Sequence, residues 1–275
     1  MIGVRIFAAA MLSAAVTGAC AQAQPAPKQE FTPQVGQAGK DVIWVPTPEA
    51  LVERMLTMAK TTANDFVMDL GSGDGRTVIM AAKKFGANAM GIEYNPDMVA
   101  LSQKNAAQAG VNGKAQFMKA DLFETDFSKA QVITMYLLPD INLRLRPKIL
   151  DLKPGTRVVS HAFTMGDWDP DERAEVEMRT AMLWIVPAKV GGNWSLKGAN
   201  AGYDVSIQQT YQKLAGTVRR GTTSVPIEEG RMNGENIGFS FSDGGKRVRF
   251  VGKVNGGNLM GAIDGGAQLT GMKGN

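Results

Sequence analysis

The stretch Asp65-Phe66-Val67-Met68-Asp69-Leu70-Gly71-Ser72-Gly73-Asp74-Gly75-Arg76-Thr77-Val78-Ile79-Met80-Ala81-Ala82-Lys83-Lys84 decides the fold. Its opening apolar run reads as a buried strand, its three glycines as a tight turn, and Arg76 onward as a helix. A strand, a glycine-rich turn and a helix in this order let backbone approach a nucleotide-like ligand closely. The same alternation extends in both directions. Upstream, Thr47-Pro48-Glu49 opens a helix reaching about Lys60, with Thr47 as N-cap and proline at the first helical position. Downstream, strands are expected at 88–93, 115–119, 131–136 and 156–160, with helices from Pro96 to about Ala109 and over 143–150. Two further strands, 174–179 and 181–186, follow each other without room for a helix and should pair as a hairpin. The pattern predicts an α/β fold, a doubly wound Rossmann-like sheet that is mostly parallel.

The chemistry of the turn narrows the ligand. A pyrophosphate site presents helix N–H groups and keeps carboxylates away, whereas this turn carries Asp69 and Asp74 around Gly71, Gly73 and Gly75. The dinucleotide spacing G-x-G-x-x-G would place its third glycine at Arg76. An acid-rich turn suits a cation, and S-adenosylmethionine (SAM) carries a sulfonium and an ammonium. Asp69, Gly71, Ser72, Gly73 and Gly75 are therefore expected to bind SAM. Glu93, closing the second strand twenty residues after Gly73, is placed to accept both ribose hydroxyls. Asp121, just past the third strand, is placed to accept the adenine amino group while Leu122 covers the ring. Both acids also have plain structural readings, a strand-end charge and a helix N-cap.

Composition excludes several other classes. The 275 residues hold one cysteine, Cys20, and one histidine, His161, so no intrachain disulfide and no His/Cys zinc site can be assembled, and no metal site is expected. No G-x-S-x-G elbow accompanies His161. Residues 24–187 carry 18 Lys and Arg against 20 Asp and Glu, and residues 188–275 carry 11 against 6, scattered among glycine and serine. That distribution argues against a nucleic-acid stripe. Residues 1–23 read as a signal peptide: Arg5, an apolar run from Ile6 to Val16 too short to span a bilayer, and an Ala21-Gln22-Ala23 cleavage site. Thr17-Gly18-Ala19-Cys20 approaches a lipoprotein box, which makes lipidation of Cys20 the lesser alternative to cleavage. The chain is thus expected to be exported, to the periplasm. Residues 24–40 read as a flexible leader, 41–187 as the α/β domain and 188–275, with 19 of the 32 glycines, as a small antiparallel β-meander.

Val45-Pro46-Thr47-Pro48, the Asp69–Arg76 turn, Gly91-Ile92-Glu93-Tyr94-Asn95, Tyr136-Leu137-Leu138-Pro139 and Pro154-Gly155-Thr156-Arg157-Val158-Val159-Ser160-His161 occur in that order. Together they resemble the small seven-β-strand protein-lysine methyltransferases of archaea and their mitochondrial relatives, over about residues 41–187. The resemblance implies SAM as cofactor and a protein-lysine acceptor, with the V-P-T-P stretch beside the SAM site. Methyl transfer is an in-line displacement, so such an enzyme chiefly aligns the nucleophile and excludes water. A lysine must first lose its proton, because –NH₃⁺ has no lone pair. Tyr136, at the end of the fourth strand, is placed to orient the amine or to offer its ring face to a cation. His161, ending the fifth strand, is placed to accept the amine proton if it titrates near working pH, although a lone histidine is more often structural. Asp167-Trp168-Asp169 would form an acidic lip for a lysine-bearing substrate. Two other readings stay open: an exported, catalytically silent binding protein that kept the fold, and a methyltransferase for a small molecule.

Overall fold

The structure, a computed structural model, describes residue 1 and residues 31–199, 202–264 and 266–274. Apart from Met1, the signal segment at 1–23, Cys20 and the leader as far as residue 30 lie outside the described residues. Of two compact units, Met1–Thr32 and Pro33–Asn275, the second carries every element below.

Its first part runs α1 (Glu49–Met58), β1 (Phe66–Leu70), α2 (Arg76–Phe85), β2 (Asn88–Glu93), α3 (Pro96–Gln108), β3 (Ala115–Lys119), β4 (Val132–Met135), α4 (Pro139–Leu150), β5 (Arg157–His161), β6 (Glu172–Val176) and β7 (Arg179–Ile185). These strands form one sheet in the order β3-β2-β1-β4-β5-β7-β6. All pairings are parallel except those of β7, which runs antiparallel to both β5 and β6. The expected hairpin is present, but its second strand inserts beside β5 and leaves β6 at the edge. Alternate residues of the buried strands feed two cores. Val67, Val132 and Val159 pack with α1 and α2 on one face, and Met68, Ile133 and Val158 with α4 on the other.

Three boundaries differ from expectation for local reasons. Helix α4 begins at Pro139 rather than 143, because proline is pre-set for the first helical turn. Helix α1 begins at Glu49 with Pro48 in the cap position and no side-chain cap; the Thr47 hydroxyl is used elsewhere. Residues 34–40, expected as the end of a flexible leader, fold with 41–44 into a small hairpin. Gly36 N–H donates to Trp44 C=O, Trp44 N–H to Gln37 C=O and Gly39 N–H to Val42 C=O, each at 2.9 Å.

The second part runs β8 (Gly192–Lys197), β9 (Gly202–Thr210), β10 (Lys213–Arg220), β11 (Thr223–Pro226), β12 (Glu228–Asn233), β13 (Asn236–Asp243), β14 (Lys246–Asn255), β15 (Asn258–Ile263) and β16 (Ala267–Lys273). The meander is not open. Strand β16 pairs with β8, so β8, β9, β10, β12, β13, β14, β15 and β16 close into an antiparallel barrel, with β11 beside the far end of β10. Closure removes the exposed edges an open meander would carry. Inward positions such as Trp194, Val205, Ile207, Phe239, Phe250 and Leu259 fill the interior, and the Phe239 and Phe250 rings lie 5.0 Å apart. Among the described residues, no helix is long and apolar enough to cross a membrane.

Candidate active site

Strand order reverses between β1 and β4, and a cleft opens beyond the carboxyl ends of β1, β2 and β4, where open α/β sheets hold their ligands. It encloses about 1060 Å³, part of it open to solvent. Its walls come from the glycine turn, the end of β2, the Ala120–Leu122 segment, the loop after β4 and the hairpin that precedes α1.

The acids of the turn are not equivalent. Asp69 is buried against α2, and parallel register sets it beside Thr134 of β4, whose hydroxyl donates to Asp69 Oδ1 at 2.7 Å. Burial drives its pKa up from 3.8 to about 7, with the Asp74 and Glu93 charges adding to the rise and the Thr134 and Thr77 hydrogen bonds opposing it. Asp74 is neutralised instead. Its carboxylate takes the Arg76 guanidinium at 2.6 Å, while Arg76 also donates to Thr47 C=O at 3.0 Å. The position that a dinucleotide turn would give to glycine therefore ties the turn to the segment before α1. Only Asp69 is left as an uncompensated buried acid in the turn.

Glu93 is held by two backbone donors, Gly73 N–H to Oε2 and Asn95 N–H to Oε1, both at 2.9 Å. A carboxylate pinned in this way keeps lone pairs on each oxygen for a vicinal diol. Gly71, Ser72 and Gly73 line the cleft, and the buried Ser72 hydroxyl has no hydrogen-bond partner. Gly75 does not line it. Gly75 has φ +84°, and a Cβ there would lie 2.7 Å from both the Phe117 ring and Ser102, so this glycine serves packing beneath the turn.

Asp121 and Leu122 both face the cleft. Asp121 Oδ1 accepts from Phe123 N–H at 2.9 Å, as an N-cap would, and Oδ2 pairs with the Lys40 ammonium. That pair, with help from the Phe123 N–H, holds the Asp121 carboxyl below its ordinary pKa. Lys40 also lies 4.8 Å from the centre of the Tyr94 ring. The hairpin around Lys40 and Trp44 therefore straps across the cleft. By composition Lys40 belongs to the leader; the one signal in the sequence is an indole directly preceding the V-P-T-P stretch.

On the opposite side Tyr136 lines the cleft, stacked 3.8 Å from His161 at 27° and 5.9 Å from Phe163 at 19°. His161 is 3% exposed, lies behind Tyr136, and bonds through Nδ1 to the Thr47 hydroxyl at 3.0 Å. Burial, helped by the Arg179 charge, lowers its pKa to about 4. The expected titration near working pH is therefore corrected: this imidazole is neutral at pH 7 and is not among the cleft-lining residues. The acidic lip is corrected as well, because Asp167 pairs with Arg146 and Tyr211, and Asp169 with Lys213. Among the described residues, no group of three His, Cys, Asp or Glu is arranged to hold a metal ion.

The donor set fits the expected cofactor. A buried acid lacking a cation is relieved by a positively charged ligand, and the pinned Glu93 carboxylate suits a ribose diol.

Known proteins resemble this chain in sequence and fold. A family model described as the ANTKMT methyltransferase domain matches residues 69–172. The protein-lysine N-methyltransferase of Saccharolobus islandicus is 48% identical over 151 residues, 53% of this chain and 94% of that protein. The adenine nucleotide translocase lysine N-methyltransferase of Mus musculus is 34% identical over 121 residues, 43% of this chain and 52% of its own length. Among solved structures, that of an RNA methyltransferase from Salinibacter ruber in complex with S-adenosyl-L-homocysteine superposes with a TM-score of 0.52 at 49% identity. The match covers 53% of this chain and 96% of that one.

Proposed function

Because the chain belongs to the class I SAM-dependent methyltransferases, in the family of the protein-lysine N-methyltransferases, we propose that it methylates lysine side chains of proteins at the Tyr136 side of this cleft. The observation that carries the reading is the pairing of a buried, uncompensated Asp69 with an aromatic wall facing it from the end of β4. Bound SAM supplies a methyl group already activated on a sulfonium. The chain supplies alignment: Asp69 answers the ligand's positive charge, Glu93 fixes the ribose, and the strap bearing Lys40 and Trp44 limits water. The Tyr136 ring, backed by His161 and Phe163, presents a face to the incoming amine. The amine proton leaves to solvent at the cleft mouth, since His161 lies buried behind the ring and its lowered pKa of about 4 makes it too weak a base to take that proton.

That role for His161 has a clear signature. With SAM saturating, kcat is expected to show no inflection attributable to His161 between pH 6 and 8. His161→Phe keeps the stack on Tyr136 and should retain kcat within about fivefold, whereas removing a general base typically costs about 10²–10⁴. The same substitution strands the buried Thr47 hydroxyl and should destabilise the fold by about 1–3 kcal/mol. A loss of kcat beyond a hundredfold, with the folded population intact, would restore the general-base role.

The Salinibacter ruber protein, described as an RNA methyltransferase, supports a second reading, transfer to RNA. Charge speaks against it: residues 24–187 are net −2, from 18 Lys and Arg against 20 Asp and Glu, and a site gripping a phosphate backbone gathers Lys and Arg. Incubating the protein with methyl-labelled SAM and a fractionated lysate separates the two readings. Label is expected in protein and, after hydrolysis, in methyllysine; label confined to RNA or to small molecules would reject lysine as acceptor. Residues 1–23 further support export as the place of action. The mature protein should then begin near residue 24, and native protein starting at Met1 would contradict it.

A further inference from the structure

The segment leaving β5 connects the acceptor wall to the barrel. It turns sharply at Ala162, whose φ is +63°, and then carries Phe163 against Tyr136. From the sheet side it is held by Ser160, whose hydroxyl donates to Phe163 C=O at 2.8 Å. From α4 it is held by Asn142, which donates to Thr164 C=O at 3.1 Å, and by Arg146, which donates to Met165 C=O at 2.8 Å. Its far end is held by the two-residue turn between β9 and β10. Tyr211 stacks on the fully buried Trp168, with ring centres 5.7 Å apart and planes at 19°, and its hydroxyl donates to Asp167 Oδ1 at 3.0 Å. Gln212, itself buried, donates to Asp169 C=O at 2.7 Å, and Lys213 pairs with the Asp169 carboxylate at 2.5 Å. Just beyond, Asp171 takes Arg231 of β12 at 2.7 Å.

Acids that read in sequence as a lure for lysine thus form, with Asp171, the socket into which the barrel fits. A barrel that served only as a tether would need the rim ion pairs. The Tyr211 ring does more, because it carries φ +54°, a conformation unusual for a side-chain-bearing residue, and thereby lays its face on Trp168. The Trp168 indole completes the core under the same segment, and Trp184 Nε1 donates to Trp168 C=O at 2.7 Å.

We propose that the β9–β10 turn is a positioning element of the methyl-transfer site: by fixing Trp168 and Asp167, Tyr211 sets the 162–168 segment, and through Phe163 it sets the Tyr136 wall that meets the acceptor. This rests on the reading of Tyr136 as the acceptor side. The residues expected to hold SAM, Asp69, Gly71, Gly73 and Glu93, make no contact with this turn, so the turn should govern the acceptor and leave cofactor affinity alone.

The test compares the full chain with Tyr211→Ala and Tyr211→Phe by SAM affinity, methyl-transfer kinetics on protein acceptors, and hydrogen exchange. Tyr211→Ala is expected to keep the SAM Kd within about twofold and to lower kcat/KM for the acceptor by about tenfold or more, since small misplacements at a reacting centre are costly. Amides of 163–168 should exchange faster while those of 71–95 do not. Tyr211→Phe keeps the stack and should restore most of the lost rate. Wild-type acceptor kinetics in Tyr211→Ala, at any thermal midpoint, would overturn the proposal and leave the turn a tether. If the wild-type chain methylates no protein lysine, the reading of the acceptor fails by itself; the exchange data then decide the proposal, and unchanged protection at 163–168 rejects it. Should Tyr211→Ala not fold, Tyr211→Leu, which keeps an apolar side chain over Trp168 but removes the stacked ring, is read under the same criteria.

Discussion

Asp69→Asn is expected to raise the thermal midpoint of the ligand-free protein and at the same time to cut SAM affinity by about a hundredfold. The two effects share one cause. In the ligand-free fold the Asp69 carboxyl sits near pKa 7 instead of 3.8, because burial disfavours its charge and no cation faces it. The folded state therefore holds a proton that the unfolded chain has released between those values, and this group's contribution to stability falls as pH rises from about 4 to 7. Above pH 7 the buried carboxylate costs the ligand-free fold up to about 4 kcal/mol. Asparagine removes the charge and can still accept the Thr134 hydroxyl, so a midpoint several degrees higher at pH 8 is expected. The ligand loses its counter-charge in a water-poor site, worth about 2–3 kcal/mol. Thermal scans with and without SAM read both quantities. A variant that is no more stable than wild type and binds SAM equally well would exclude Asp69 as the counter-charge.

Gly73→Ala should reduce SAM affinity by about thirtyfold or more. Gly73 has φ +54°, where any L side chain is strained by about 1 kcal/mol or more. A Cβ there would lie 2.6 Å from Trp44 Nε1 and 3.0 Å from Cδ1, so the indole must move, and with it the hairpin that crosses the cleft. The Gly73 N–H that pins Glu93 would shift too, loosening the ribose acceptor. The double variant Gly73→Ala, Trp44→Ala separates the causes. Partial recovery of affinity relative to Gly73→Ala identifies the indole clash; strict additivity assigns the loss to backbone strain.

The sheet is legible in the sequence because its central strands β1, β4 and β5 are short apolar runs between turn signals, and because the Asp69–Arg76 turn orders them. Tyr136 and Glu93 are legible from their place at strand ends. What escapes is set by contacts between distant residues. Arg76 looks like a missing glycine, yet its guanidinium binds Asp74 and the Thr47 carbonyl, 29 residues away. Lys40 sits in a run of Gly, Pro and Gln whose composition reads as flexible, yet Asp121, 81 residues on, gives it a partner. His161 looks like a base because free imidazole titrates near neutral pH, and only its burial behind Tyr136 corrects that. The barrel's alternation is visible, but closure depends on β16 finding β8, a pairing of Thr270 with Lys197 and of Lys273 with Trp194 that no local pattern encodes.

The decisive experiment is a calorimetric titration of the folded chain with SAM at pH 5.5 and pH 7, in buffers of different ionisation enthalpy. Saturable binding is expected that tightens about tenfold between the two pH values, with net proton release at the lower one as Asp69 gives up its proton to meet the ligand's charge. Binding that is absent, or independent of pH and without proton release, would contradict the claim that this cleft is a SAM site built around a buried acid.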